Sequence, residues 1–273
     1  MAVRILHVSD LHTGTREDPE VEAALHSLLD RVDAELIVAS GDLTHRGRRD
    51  EHERAHRFLT SFGLPVLTVP GNHDMPYTFP ARLTQTYTEF TRQWSELEQT
   101  HASPTLHVIG LNSSRRFRQQ GGALRAEQLE GAALRLQEAQ DGAYRVVVLH
   151  HHMVGAPWRA ARKHPVSHRN RVLRALVEAG ADLILAGHIH QAALSERHEF
   201  EVVEGDVRAA VVSIAPGLGQ PRPRRLGEAR GLHVYEVGER TLTADTYIWR
   251  GGDWGHTARR VFPRGYGPLA VTS

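Results

Sequence analysis

The sequence predicts an α/β fold, on three observations. Short β-branched runs recur along the first two thirds of the chain, each closed by a turn signal or a polar cluster. Helix-period segments lie between them, and that alternation implies β–α–β units with largely parallel pairing. In the last third the helices drop out and strand-like runs succeed one another, which suits a second sheet or an antiparallel extension packed on the first.

The runs read as strands at 4–9, 35–40, 65–69, 106–111, 144–149 and 181–186. Between the first two, Val21, Ala24, Leu25, Leu28, Leu29 and Val32 share one helical face, and Asp18 and Pro19 stand where an N-cap and a first-turn proline belong. Similar faces occur at 55–62, 124–136 and 172–177. Strands at 200–203, 209–214, 232–237 and 243–249 complete the pattern, with Trp249, Trp254 and the glycines between them read as a strand running into an aromatic-packed turn. Residues 216–231, rich in Gly, Pro and Arg, read as a long exposed loop. No linker separates two domains and no repeat is present.

Composition narrows the function classes. With 273 residues, 40 % hydrophobic and 24 % charged, the chain has the profile of a globular protein. No apolar run approaches the roughly 20 residues of a membrane helix, and the N-terminal stretch reads as a buried strand rather than a signal peptide, so the expected location is cytoplasmic. The absence of cysteine excludes disulfides and thiolate metal sites. A formal charge of +1 gives no global attraction to nucleic acid or a membrane. Lys163 is the only lysine, an arginine bias best read as base composition. The 19 histidines matter more, because imidazole is the commonest metal ligand and proton carrier near neutrality.

The residues just after the strands are of one kind. Asp10-Leu11-His12 comes after the first strand, Gly41-Asp42 after the second, and Gly71-Asn72-His73-Asp74 after the third. His150-His151-His152 and Gly187-His188-Ile189-His190 succeed the strands ending at 149 and 186. Sites in α/β sheets form at the carboxyl ends of strands. Each motif alone has a plainer reading as a turn carboxylate, a cap or a solvated edge. Together, and in this order, they point to a metal site. Carboxylate, amide oxygen and imidazole without thiolate suit manganese, iron or zinc. The candidate ligands exceed what one ion needs and would serve two ions about 3.5–4 Å apart with one shared carboxylate. Any one or two of the three histidines at 150–152 would suffice.

These motifs resemble those of the calcineurin-like metallophosphoesterases, most closely the bacterial branch that includes the class III cyclic nucleotide phosphodiesterases. The resemblance spans about Ile5 to His190, with five motifs in the family's order. It implies two packed mixed β-sheets flanked by helices in a single domain over 1–273, with 200–273 a strand-rich part of the second sheet. It further implies two divalent metal ions, manganese or iron first and zinc also admitted. Asp10, His12 and His190 would hold one ion, Asn72, His150 and His188 the other, and Asp42 would bridge them. His73 would contact the phosphoryl group and protonate the leaving oxygen, with Asp74 orienting the site from behind. Many relatives carry His-His-Pro-Pro where this chain has His150-His151-His152-Met153, so His151 stays an alternative to His150.

The implied activity is hydrolysis of phosphodiesters on small molecules, cyclic nucleotides among them, by a metal-bridging hydroxide. A nuclease, a nucleotide pyrophosphatase or a phosphomonoesterase would use the same centre, and a non-catalytic metal scaffold is the weakest reading. The expected partner is a small-molecule phosphate ester, with no membrane; a homodimer is admitted and nucleic acid is not favoured. The clusters Arg115, Arg116, Phe117, Arg118 and Arg222, Arg224, Arg225 read as solvated loops that could equally grip a phosphate. His45 is expected to line the site, His26, His52 and His56 to lie on the surface, and Arg162, Lys163, His164 and His168 to form a polar loop.

Overall fold

The computed structural model describes residues 2–15, 18–154, 163–200, 210–219 and 230–265. Its first half is built from β1 (Val3–Val8), α1 (Pro19–Val32), β2 (Leu36–Ala39), α2 (Arg49–Thr60) and β3 (Val66–Thr68). Two short helices, α3 (Ala81–Thr84) and α4 (Thr88–Trp94), lead to β4 (Thr100–Ala102), β5 (Leu106–Gly110), α5 (Ala126–Gln137) and β6 (Tyr144–Val148). Then come α6 (Arg169–Glu178), β7 (Leu183–Ala186), β8 (Ala193–Glu196), α7 (Arg197–Phe200) and β9 (Val211–Ile214). The last strands are β10 (Gly231–Val237), β11 (Thr241–Trp249) and β12 (Trp254–Pro263).

These strands form two six-stranded sheets, ordered β12-β11-β10-β1-β2-β3 and β4-β5-β6-β7-β9-β8. The side-chain period of two decides how they stack. Ile5, Leu36 and Val38 of the first sheet meet Val108, Val146 and Leu183 of the second in one cluster. The alternate residues Leu6, Val8 and Ile37 face outward onto Leu25 and Leu28 of α1 and Ala55 and Leu59 of α2. On the far side, Val147 and Ile184 pack on α5 and α6. The result is four layers, helix–sheet–sheet–helix. Strands buried on both faces carry unbroken apolar sequence, as in the fully buried LIVA of β2 and LILA of β7. Each such Leu or Ile contributes roughly 1.5–3 kcal/mol of burial. A polar seam crosses the inter-sheet layer: Ser213 Oγ meets the Tyr235 hydroxyl at 2.5 Å, and His7 bridges Tyr235 to Ser40 Oγ (2.9 Å).

Pairing is parallel for β1–β2–β3 and for β5–β6–β7–β9, as the alternation of strands with helices implies, and antiparallel elsewhere, so both sheets are mixed as expected. Several other expectations are corrected. The segment 200–273 is divided between the sheets rather than confined to the second. β9 joins the second sheet, whereas β10–β12 extend the first, because β1 is buried on both faces and has one edge left after pairing with β2. The helix expected at 55–62 begins at Arg49; its first turn is polar, and the Glu51 carboxylate accepts from the backbone N–H of Arg46 (2.7 Å) and Arg48 (3.3 Å). The expected strand at 200–203 is replaced at Phe200 by the end of α7, and 201–203 and 209 lie outside the described residues. So do most of the 216–231 loop, Arg162, Arg222, Arg224 and Arg225.

His52, expected at the surface, is fully buried against Phe90 with Nε2 at 3.1 Å from the Asp74 carbonyl, because α4 covers that face of α2. Asp18 does precede α1, but its carboxylate takes the Arg230 guanidinium (2.9 Å) instead of capping. The Trp249–Trp254 turn is a hairpin that continues into β12, with the two rings 5.4 Å apart. Among the described residues no helix is long and apolar enough to cross a membrane.

Candidate metal centre

The carboxyl ends of β1, β2, β3, β6 and β7 open onto one place, and the motif residues at the end of each strand meet there. Local backbone turns them inward. Asp10, His12, Asp42, His188 and His190 have φ of 52°, 49°, 52°, 76° and 57°. A non-glycine residue in that left-handed region costs on the order of 1–3 kcal/mol. Five such residues in one centre therefore signal a geometry that the surrounding layers enforce. Close backbone approach does the rest: a Cβ on Gly71 would fall 2.2 Å from the Asp42 nitrogen, so only glycine lets the third loop lie against the second.

Two clusters result. In one, His190 Nε2 lies 3.0 Å from Asp10 Oδ1 and 3.2 Å from His12 Nε2. In the other, His150 Nε2 lies 3.3 Å from Asn72 Oδ1 and 3.2 Å from His188 Nδ1. Asp42 Oδ2 stands between them, 3.9 Å from His12 Nε2 and 3.4 Å from His150 Nε2. Asp10, His12, Asp42, His150 and His188 are at most 1 % exposed, and Asn72 is 6 % exposed.

The hydrogen bonds around the clusters point lone pairs inward. His150 Nδ1 donates to the Ser40 carbonyl (2.8 Å) and His188 Nε2 to the Gln120 carbonyl (3.1 Å), which leaves the opposite nitrogen of each ring for the centre. The carboxylates are divided in the same way. Asp10 Oδ2 accepts from Ser9 Oγ (2.7 Å) and the His188 N–H (2.9 Å), and Asp42 Oδ1 accepts from the His73 N–H (2.8 Å). Asp10 Oδ1 and Asp42 Oδ2 are buried and make no well-formed hydrogen bond. A buried bare carboxylate oxygen is costly unless a cation meets it, and these two oxygens face the imidazoles of both clusters. The donor set fits divalent ions of the manganese, iron and zinc type.

Electrostatics agree. Burial alone would raise both carboxyls, but His190 holds Asp10 low, and His150 with His73 holds Asp42 well below the usual carboxylate range. Burial disfavours charge on His150, yet the Asp42 carboxylate outweighs it and raises His150 to about 9. His12 and His188 are pushed well below their ordinary value, chiefly by burial.

His73 lies at the mouth, its ring 4.8 Å from that of His12 and 5.8 Å from that of His45. Its Nδ1 donates to the His45 carbonyl (2.8 Å), which fixes the ring. Asp74 does not touch that ring. Its carboxylate accepts from Thr44 N (2.8 Å), Thr44 Oγ1 (3.0 Å) and Gly71 N (2.7 Å), tying the third loop to the second. His150 and His151 both stand with His188 in a group of buried imidazoles that could hold an ion. His151 Nδ1 lies 2.9 Å from Ser113 Oγ and its Nε2 is buried without a hydrogen-bond partner, so His151 stays an alternative to His150. Ser9, Ser113 and the carbonyls of Ser40, His45 and Gln120 carry no motif signature, and nothing in the sequence signals their part.

The family model for calcineurin-like phosphoesterases matches residues 3–192. A probable cyclic nucleotide phosphodiesterase of Synechococcus is 27 % identical over 72 % of this chain and 77 % of that protein. The 3',5'-cyclic adenosine monophosphate phosphodiesterase of Escherichia coli is 27 % identical over 69 % and 70 %. A glycerophosphodiester phosphodiesterase of Enterobacter lignolyticus is 32 % identical over 26 % and 29 %. Among solved structures, a dimetal phosphatase of Danio rerio superposes with a TM-score of 0.66 at 13 % identity, covering 96 % of this chain and 98 % of that one. A purple acid phosphatase of yellow lupin gives 0.70 at 11 % identity, covering 97 % of this chain and 54 % of that one. At these identities the structures speak for the fold alone.

Proposed function

The chain belongs to the calcineurin-like phosphoesterase family, and we propose that it hydrolyses small-molecule phosphodiesters, cyclic nucleotides among them, at a centre built for two divalent ions. The observation that carries this reading is the bare Asp42 Oδ2 between the Asp10–His12–His190 and Asn72–His150–His188 clusters. The named activities of the relatives, two of them cyclic nucleotide phosphodiesterases, support the diester over the monoester. Manganese or iron suits the donor set first, and zinc also fits. Bound there, two ions supply an activated water and neutralise charge on the phosphoryl oxygens.

The chain's own residues do the rest. Asp10 and Asp42 keep their charge at neutral pH and hold the ions through the oxygens that face inward. Ser40 and Gln120 fix the tautomers of His150 and His188. His73, with Nδ1–H donating to the His45 carbonyl, keeps Nε2 directed away from that bond, and its doubly protonated imidazolium form hands the Nε2 proton to the departing alkoxide and is left neutral.

With metal-stripped protein and added Mn²⁺, bis(p-nitrophenyl) phosphate is expected to turn over faster than p-nitrophenyl phosphate. Preference for the monoester would replace this reading with a phosphatase, and no turnover of either by protein holding two ions would sink it. Metal uptake has its own signature. His150 carries a proton near pH 7 in the metal-free centre, because its value is raised to about 9, whereas a ligand must be neutral. Binding should therefore release about one proton from His150 at pH 7 and strengthen as pH rises toward 9. Calorimetry in two buffers of different ionisation enthalpy reads that proton directly; equal heats in both would contradict it.

A further inference from the structure

The chain is close to neutral overall, yet residues 75–88, 112–125 and 163–174 hold nine of its 33 Lys and Arg and none of its 32 Asp and Glu. These segments form one surface. The buried Arg82 donates to the carbonyls of Pro76 (3.2 Å), Arg116 (2.9 Å) and Arg118 (3.4 Å), and the N–H groups of His164 and Ser167 donate to the carbonyls of Gln120 (3.0 Å) and Gly122 (2.9 Å). The surface borders the metal centre. The Tyr77 ring lies 6.3 Å from His73, and the Gln120 carbonyl is the one that His188 addresses.

Three of the five large hydrophobic side chains exposed among the described residues sit on it: Tyr77 (52 %), Phe79 (68 %) and Phe117 (75 %). The Arg116 guanidinium lies over the Phe117 ring at 4.9 Å. Arg116, Arg118, Arg125, Arg169 and Arg171 are exposed, and among the described residues none has a carboxylate partner. α6 even opens on Arg169 and Arg171 with no acid in its first turn, against the preference of a helix N-terminus for negative charge. Uncompensated cations interleaved with exposed rings match a ligand that offers repeated negative charge and flat faces together.

We propose that this rim docks single-stranded nucleic acid, with bases on Tyr77, Phe79 and Phe117 and phosphates on the arginines, so that the centre takes oligonucleotides beside small diesters. A duplex keeps its bases stacked and cannot use the rings. A membrane surface would reward aromatic tips but gives no reason for cations bordering a centre that opens phosphodiesters. Cleavage adds water across one P–O bond, leaving a phosphomonoester on one fragment and a hydroxyl on the other. That step rests on the phosphodiesterase reading; the docking does not.

The test is fluorescence polarisation of a labelled phosphorothioate oligothymidylate of about ten nucleotides, which resists cleavage, with metal-loaded protein. Expected is binding on the order of micromolar at low salt, weakening with a log–log slope of about −0.7 per phosphate engaged. Arg116→Glu with Arg171→Glu should weaken it at least about 10-fold and flatten the slope, with bis(p-nitrophenyl) phosphate turnover within about twofold of the parent. Phe117→Ala should weaken it about 5-fold or more and leave the slope unchanged. No binding, equal affinity for the duplex, or variants that bind like the parent would overturn the proposal. So would preference for phosphatidylserine vesicles over the oligonucleotide, which would assign the rim to lipid. A parent protein that turns over the diester but does not bind the oligonucleotide strikes the docking alone, and a parent that binds without turnover strikes the phosphodiesterase reading alone.

Discussion

Asp42→Asn is expected to lower kcat/KM on bis(p-nitrophenyl) phosphate by ~1,000-fold or more and to leave less than one tightly held ion per chain. The effect is large because one oxygen faces two clusters. Asp42 Oδ2 is within 3.9 Å of His12 Nε2 and within 3.4 Å of His150 Nε2, and it has no hydrogen bond to lose. The amide keeps the Oδ1 contact with the His73 N–H, so the loop stays in place while the charge disappears. Metal content by plasma mass spectrometry, beside kinetics with excess Mn²⁺, checks it. A variant that keeps two ions and near-normal turnover would remove Asp42 from the bridging position.

His73→Ala is expected to act on chemistry and not on metal content. Its loss should cost kcat about 10²–10⁴-fold with a diester whose leaving group is an alkoxide, and clearly less with a p-nitrophenyl leaving group, which departs without a proton. The His73 ring hangs from the His45 carbonyl at the mouth of the site and is not one of the nitrogens packed around Asp10 Oδ1 or Asp42 Oδ2. Two ions should therefore remain. Comparable losses with both leaving groups, or loss of an ion, would show that His73 acts by holding the centre together.

The site was legible in sequence for a physical reason. Strands buried on both faces carry a carboxylate or imidazole only where a partner meets it, as Tyr235 and Ser40 meet His7 within β1, so a cluster of such residues marks where β1, β2, β3, β6 and β7 stop. Ligand identity thus travels with strand ends. What the residues could not reveal is orientation, because it is set by backbone carbonyls: Ser40 for His150, Gln120 for His188 and His45 for His73. A carbonyl belongs to every residue and leaves no trace in sequence. His150 and His151 are identical neighbours in sequence, and only their partners differ, the Ser40 carbonyl for His150 and the Ser113 hydroxyl for His151. The start of α2 escaped notice because its first turn is polar, and His52 because the helix that buries it, α4, is too short to announce itself by period. Sheet membership of β10–β12 depends on a partner far away in the chain.

The β1–β10 pairing also bears on how the protein is made. β1 is synthesised long before β10, yet Val3 pairs with Val237 and His7 with His233. Until β10 emerges, β1 can pair only with β2, and its other edge is open. Contacts of such sequence separation form late and slow folding, and an unpaired apolar edge recruits other chains in the meantime. The expected metal ligands are complete by His190, but the sheet that holds Asp10 and Asp42 is not. The nascent chain therefore carries a full set of expected ligands well before it has a finished frame to set them in.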